Sequence, residues 1–220
     1  CTILMIYQYL LKNMTQDELN KLIEQYWDND GYTFPDSFEH RLDKVSSSMM
    51  YSFIRHYKPK NCLEIGAWKV GSGCIIMSAL QKNNLPFEFY SSELENDLRQ
   101  QTEENIFFKC KQSPVMLGDI TKNLERLPEL DFLFVDTSHD VDTTKWIIEN
   151  IWPKLRKGGI FCMHDWAVWE QDGKWFGKDG AWPETKYLIQ LHEENRFPFE
   201  KLYWTYVPQG GQEMGFWRKL

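Results

Sequence analysis

Between Cys62 and Met163 the chain alternates short apolar runs with helix-spaced stretches, and this alternation limits its fold more than any other feature. The apolar runs are Cys62–Ile65, Phe87–Ser92, Pro114–Leu117, Leu130–Val135 and Ile160–Met163. Leu130–Val135 carries a single polar residue, Asp131, as suits a strand buried on both faces. Ser72–Lys82, Leu94–Phe108 and Thr143–Leu155 read as the helices between strands, with a short helical piece at Leu124–Leu127. Lys157-Gly158-Gly159 is expected to close the last of these in a left-handed cap. A helix over Glu184–Asn195 precedes two further strands, Lys201–Val207 and Glu213–Arg218, around the turn Pro208-Gln-Gly-Gly211. The expected fold is α/β: a seven-stranded, mostly parallel sheet with helices on both faces and a C-terminal antiparallel hairpin.

Upstream, Thr15-Gln-Asp-Glu18 forms a capping box that opens a helix with Leu19, Leu22, Ile23 and Tyr26 on one face, ended by Asp28–Gly31. Tyr32–Lys44 reads as a loop and Val45–Tyr57 as a second helix stopped by Lys58-Pro59. Residues 1–44 are expected to form an N-terminal helical extension or lid, and residues 45–220 the main domain. The opening CTILMIYQYLL is too short to span a bilayer and lacks the basic flank of a secretion signal. Met5 and Met14 are candidate starts of the chain.

The formal net charge of −7 argues against a nucleic-acid partner, because such domains present a basic face. The 5 cysteines show no metal spacing, and Cys62 and Cys162 fall inside strands, which points to a reducing, cytoplasmic setting. No membrane partner is expected, and the sequence leaves a homo-oligomer open.

The turn after the first strand reads Leu63-Glu64-Ile65-Gly66-Ala67-Trp68-Lys69-Val70-Gly71-Ser72. In an open α/β sheet a ligand binds where the first strand gives way to its helix, and glycine lets the backbone approach it. A carboxylate at Glu64 would repel a diphosphate but suit a ligand bearing an ammonium group. Glu93 ends the second strand, where an acid can accept from both ribose hydroxyls, and Asp119 ends the third.

These residues resemble motif I and the later acids of the class I, S-adenosylmethionine-dependent methyltransferases, whose sheet is Rossmann-like. The similarity is greatest to the small-molecule O-methyltransferases, including macrolide-sugar O-methyltransferases and cephalosporin-hydroxylase-like proteins. Val70 departs from that group's pattern, which has glycine there. The resemblance implies a cofactor site at Glu64, Gly66, Ala67, Gly71, Ser72, Glu93, Asp119 and Asp136, with Asp119 against the adenine amino group. It covers residues 45–165 and the last hairpin.

The fourth strand ends in Asp136-Thr137-Ser138-His139-Asp140 and the fifth in His164-Asp165. Both ends should open on one crevice. The metal-dependent branch of the resembled group has an Asp-x-x-His … Asp arrangement. It implies Asp136, His164 and Asp165 as ligands of Mg²⁺ or Mn²⁺, and His139 as the general base. Imidazole at His164 is softer than the oxygen ligand usual there and suits Mn²⁺, Fe²⁺ or Zn²⁺ better than Mg²⁺; the alternative is a His164 that only hydrogen-bonds locally, with no metal. The expected partner is a small hydroxylated methyl acceptor, a sugar or natural-product moiety. The segment Trp166–Trp182, with four tryptophans, is a candidate lid over it. His40, His56 and His192 read as structural or solvated. The alternatives are a non-catalytic or hydroxylase-like cofactor-binding relative and a nicotinamide-dependent oxidoreductase. The second lacks the Gly-x-Gly-x-x-Gly spacing and would set Glu64 against the diphosphate.

Overall fold

Thr15 opens helix α1 (Gln16–Leu22) through the capping box: its hydroxyl accepts from Glu18 N (3.2 Å), and the Glu18 carboxylate accepts from Thr15 N (2.7 Å). The computed structural model describes residues 14–32, 42–67, 71–166, 169–171, 174–176, 181–204 and 214–220. The opening CTILMIYQYLL, most of the loop expected over Tyr32–Lys44, and the turn at Pro208–Gly211 lie outside the described residues. After Leu22 the helix widens into a π-helical stretch, Ile23–Asp28. The wider turn moves the inward face one residue along. Trp27, rather than Tyr26, is therefore the buried ring, packed between Tyr32 and Tyr51 (ring centroids 5.0 and 5.6 Å).

Helix α2 (Lys44–Tyr57) starts on Asp43, whose carboxylate accepts from Val45 N and Ser46 N (2.7 and 3.0 Å). It is buried on all sides from Ser46 to Ile54. Phe53 stacks on Phe216 of the sheet (4.2 Å, 9°). Leu19, Trp27 and Leu42 belong to the same apolar cluster as Cys62 and Phe132, so the described part of the N-terminal segment shares the main core.

The strands are β1 (Asn61–Ile65), β2 (Glu88–Ser92), β3 (Val115–Met116), β4 (Leu130–Val135), β5 (Leu155–His164), β6 (Trp169–Gln171), β7 (Lys174–Phe176), β8 (Phe199–Trp204) and β9 (Met214–Lys219). Seven of them form one sheet in the order β3-β2-β1-β4-β5-β9-β8. It is parallel up to β5, while β9 runs antiparallel to both β5 and β8. The expected α/β sheet with its C-terminal hairpin is therefore present. The hairpin β6–β7 stands apart from it. Helices α3 (Gly71–Asn83), α4 (Asn96–Cys110), α5 (Val141–Asn150) and α6 (Pro183–Glu193) complete the fold.

Alternate residues of each strand face opposite sides, as the pleat requires. Cys62, Phe132, Phe134 and Cys162 pack toward α2 and α3, whereas Leu63, Leu133, Val135 and Met163 pack toward α5 and α6. The chain leaves β1 toward β2 and β3, then returns to lay β4 on the other side of β1. That reversal opens a crevice at the carboxyl ends of β1 and β4.

The helix expected over Thr143–Leu155 stops at Asn150. Trp152–Lys154 follows as a single 3₁₀ turn around Pro153, which cannot continue the ladder. Gly158 does take left-handed backbone (φ 75°), but inside β5. There it absorbs the register shift against β4 between Leu130 and Phe132. No helix among the described residues is long and apolar enough to cross a membrane.

Candidate active site

Gly66 has φ 89°, and a Cβ there would lie 1.7 Å from the carbonyl oxygen of Asp136. Only glycine permits this closeness, which brings the end of β4 against the end of β1. Asp136 N donates to Ile65 O (3.0 Å), and Gly66 N and Ala67 N both donate to Ser92 O (3.1 and 3.3 Å). The turn thereby ties β1, β2 and β4 together. Residues 68–70, including Val70, lie outside the described residues, and α3 begins at Gly71 with Ser72 in its first turn.

Glu64 is fully buried (0% exposed). One carboxylate oxygen accepts from the Ser72 hydroxyl and the other from the Ser91 hydroxyl (2.9 Å). Burial raises its pKa to about 7, against the lowering effect of the two serines. The side chain turns into the protein rather than into the crevice. Both its oxygens brace the loop from behind, where direct contact with an ammonium group was expected.

In front of that loop lies a cavity of about 470 Å³, within the size range of ligand pockets. Gly66, Glu93, Asp119 and Ile120 line the side formed by β1, β2 and β3. Asp142 and Trp146 of α5 close the opposite side, and Thr137 and Ser138 form the floor beside β4. Glu93 accepts from Glu95 N (3.2 Å). Asp119 caps a 3₁₀ turn (Ile120–Lys122), accepting from Thr121 N (3.0 Å) and Thr121 Oγ1 (2.6 Å) and pairing with Lys122 Nζ (3.0 Å). The Thr121 bonds, then Lys122, hold its carboxyl below the usual range. Of the expected cofactor residues, Gly66, Glu93 and Asp119 meet at this cavity. Ala67, Gly71, Ser72 and Asp136 stand in the loop and strand end behind it, not on its walls.

Next to Thr137 and Ser138, side chains of Asp136, His139 and Asp165 converge, with their ligating atoms all within 4.8 Å. His139 Nε2 lies 3.3 Å from Asp165 Oδ2. Beneath them His164 is 3% exposed, its Nδ1 lying 3.0 Å from Asp165 Oδ2 and 3.4 Å from Asp136 Oδ2. Neither ring nitrogen of His164 has a well-aligned hydrogen bond. Burial lowers its pKa, but the two facing carboxylates outweigh that and lift it to about 10. All four residues named for chemistry in the sequence are thus neighbours, with His139 on the open side and His164 on the buried side.

Two residues that sequence reasoning missed complete the group. Glu184, in the first turn of α6 and 1% exposed, has Oε1 2.7 Å from His139 Nδ1. The Trp182 ring lies flat on the imidazole (centroids 4.7 Å, 14°). Pro183 marks a helix start in the sequence, but nothing there pairs it with a residue 45 positions earlier. Trp166, expected in the lid, is instead core: it is 0% exposed and packs edge-on against Trp217 (4.5 Å, 76°). Of the rest of that lid, residues 167–168, 172–173 and 177–180 lie outside the described residues, as does His40. His192 stacks on Phe199 (4.0 Å, 18°), in keeping with a structural role.

Residues 63–166, from β1 to just past Asp165, match a protein family described as "Methyltransferase domain". Among solved structures, the chain is similar to an O-methyltransferase from Bacillus cereus in complex with S-adenosylhomocysteine (SAH). The identity is 14% and the TM-score 0.62, covering 93% of this chain and 92% of that one. It is also similar to an O-methyltransferase of tomaymycin synthesis from Streptomyces achromogenes in complex with S-adenosylmethionine (14%, TM-score 0.60, 97% and 94% covered). A third is an SAH-bound methyltransferase from Podospora anserina (19%, TM-score 0.58, 100% and 95% covered). No curated protein matches the chain. The match to a methyltransferase domain covers residues 63–166, the part of the chain that carries β1, the crevice and Asp165, and the likeness to these solved structures is one of fold.

Proposed function

We propose that this protein is a class I, S-adenosylmethionine-dependent methyltransferase that methylates a hydroxyl group of a small molecule, with His139 accepting the hydroxyl proton. The observation that carries the reading is the position of His139 and Asp165 (3.3 Å apart) directly beside the cavity wall formed by Thr137 and Ser138. Several structurally similar enzymes are O-methyltransferases, which agrees with it.

In this reading Glu93 accepts from the ribose hydroxyls and Asp119, with Ile120, borders the adenine. The Gly66 turn lets the backbone approach the methionine part, and Glu64 braces that turn through Ser72 and Ser91. Bound S-adenosylmethionine supplies a methyl group on a sulfonium, ready for in-line transfer to oxygen. The chain's task is then to orient the acceptor oxygen and remove its proton. Asp165, beside Nε2, stabilises the imidazolium that results.

The neighbouring residues fit a divalent cation. Asp136 and Asp165 offer carboxylate oxygens, and the buried Nδ1 of His164 faces both without an aligned hydrogen bond. We assign these three as its ligands, because His139 sits on the open side where an acceptor arrives. Mg²⁺ or Mn²⁺ held there would lower the pKa of the acceptor hydroxyl, and its binding would displace the proton from His164.

The test is methyl transfer from labelled S-adenosylmethionine to a panel of hydroxylated sugars and phenols, followed by mass spectrometry. His139→Ala should lower turnover by about 10²-fold or more. Equal turnover in that variant would remove His139 as the base.

A further inference from the structure

We propose that Cys74 and Cys110 form a redox-active pair, which a peroxide converts to a disulfide joining α3 to α4. The two thiols come from different helices and hydrogen-bond each other. Cys110, the last residue of α4, is held against α3 through both its side chain and its backbone. Its sulfur lies 3.4 Å from Ser78 Oγ and 3.9 Å from the Cys74 carbonyl oxygen. Its own carbonyl accepts from Gln81 Nε2 (2.8 Å). Thiols already in contact are placed for a bridge, because a disulfide needs its two residues side by side.

Cys62 and Cys162 show what cysteines kept for packing look like in this chain. Each is 0% exposed within a strand, and burial drives its pKa upward. Cys110 differs. Donation from the Cys74 thiol holds its pKa below the usual range despite burial, with Ser78 and Lys109 adding to the effect. The thiolate is the reacting form, so Cys110 is the nucleophile of the pair. It also has a way in. Ser78, Gln81 and Lys109 line a second cavity of about 390 Å³, shared with Tyr32, Tyr51 and Lys82. That cavity reaches the sulfur beside Ser78, and Cys110 is 8% exposed. Neither cysteine lines the cavity in front of Gly66.

The Cys110 thiolate attacks one oxygen of hydrogen peroxide, breaking the O–O bond to give a sulfenic acid and hydroxide. The proton that left Cys110 joins this hydroxide as water. The Cys74 sulfur then attacks the sulfenic sulfur: the S–S bond forms, the S–O bond breaks, and the Cys74 proton leaves with the hydroxyl as water. The thiol pair is oxidised and the peroxide is reduced to water. The bridge ties the end of α4 to α3, whose first turn carries Ser72, the partner of Glu64 behind the Gly66 turn.

The test treats the pre-reduced, folded protein with hydrogen peroxide at neutral pH, blocks the free thiols, and maps the peptides by mass spectrometry without reduction. The expected product is a Cys74–Cys110 disulfide, reversed by dithiothreitol, with Cys62 and Cys162 remaining thiols. In Cys74→Ser, which lacks the second sulfur, dimedone should label Cys110 as a sulfenic acid. Recovery of Cys74 and Cys110 as thiols after peroxide overturns the proposal, as does a bridge from either one to another cysteine. The wild-type map decides even if Cys74→Ser does not fold.

Discussion

His139 Nε2 and Asp165 Oδ2 lie 3.3 Å apart, and both residues reach that contact from left-handed backbone, with φ of 51° and 55°. Such backbone costs on the order of 1 kcal/mol or more for a residue other than glycine. Two such residues meeting in one contact indicate that the local fold serves the geometry of these side chains. Asp140 helps to fix the first of them by capping α5 through Thr143 N (2.7 Å).

The proposed cation site makes a direct prediction. Calorimetric titration with Mn²⁺ should show one site, with Mg²⁺ weaker because one ligand is imidazole. Asp136→Asn and Asp165→Asn should each weaken Mn²⁺ at least about 10-fold, as expected when a directly ligating group is lost. Removing the metal with a chelator should lower methyl transfer, and adding Mn²⁺ should restore it. Full activity in the presence of a chelator would contradict the assignment.

Gly66 has no room for a side chain. Gly66→Ala would place a methyl group 1.7 Å from the Asp136 carbonyl and force alanine to φ 89°. We expect destabilisation of about 2–4 kcal/mol, measured by urea unfolding, together with loss of cofactor binding. A variant as stable as the wild type would show that β4 does not press on this turn.

The buried Glu64 gives stability a pH dependence of known sign. Its pKa is about 7 in the folded protein against 4.5 for the ordinary group, so the folded state holds the proton more tightly. Its contribution is therefore greatest below 4.5 and is lost as pH rises toward 7. At about 1.4 kcal/mol per pH unit the loss amounts to roughly 3.5 kcal/mol at most. Glu64→Gln keeps a polar partner for Ser72 and Ser91 but carries no such proton. Urea unfolding at pH 5 and pH 8 should show the wild type losing stability relative to Glu64→Gln. Parallel behaviour of the two would contradict the buried, protonated carboxyl.

Much of this was legible in the sequence because it depends on local pattern. Apolar runs such as Leu130–Val135 became strands because a doubly covered strand has nowhere to place polar groups. Gly66, Glu93 and Asp119 fall at successive strand ends, and parallel topology carries those ends to one edge. Long-range pairings were not legible. The Glu184–His139 contact joins α6 to the end of β4, and no local signal announces it. The start of β5 was misplaced because a left-handed glycine serves a helix cap and a strand irregularity equally well. Trp27 was overlooked because a π-helical turn breaks the 3.6-residue spacing from which the buried face was read. Glu64 sits where motif I places an acid, but its inward direction depends on Ser91 in the neighbouring strand.

Glu93 should matter to the cofactor, since it lines the cavity at the end of β2. Glu93→Ala should weaken S-adenosylhomocysteine by about 10–100-fold, the loss expected of hydrogen bonds to a charged group, with an unchanged melting temperature. Unaltered affinity would move the ribose elsewhere.

Calorimetric titration of the wild-type protein with S-adenosylhomocysteine tests the cofactor site most directly. Saturable binding at one site per chain, weakened by Glu93→Ala, is the predicted result. No detectable binding with the ligand at millimolar concentration would contradict the central claim that the crevice between β1 and β4 is the cofactor site of a methyltransferase.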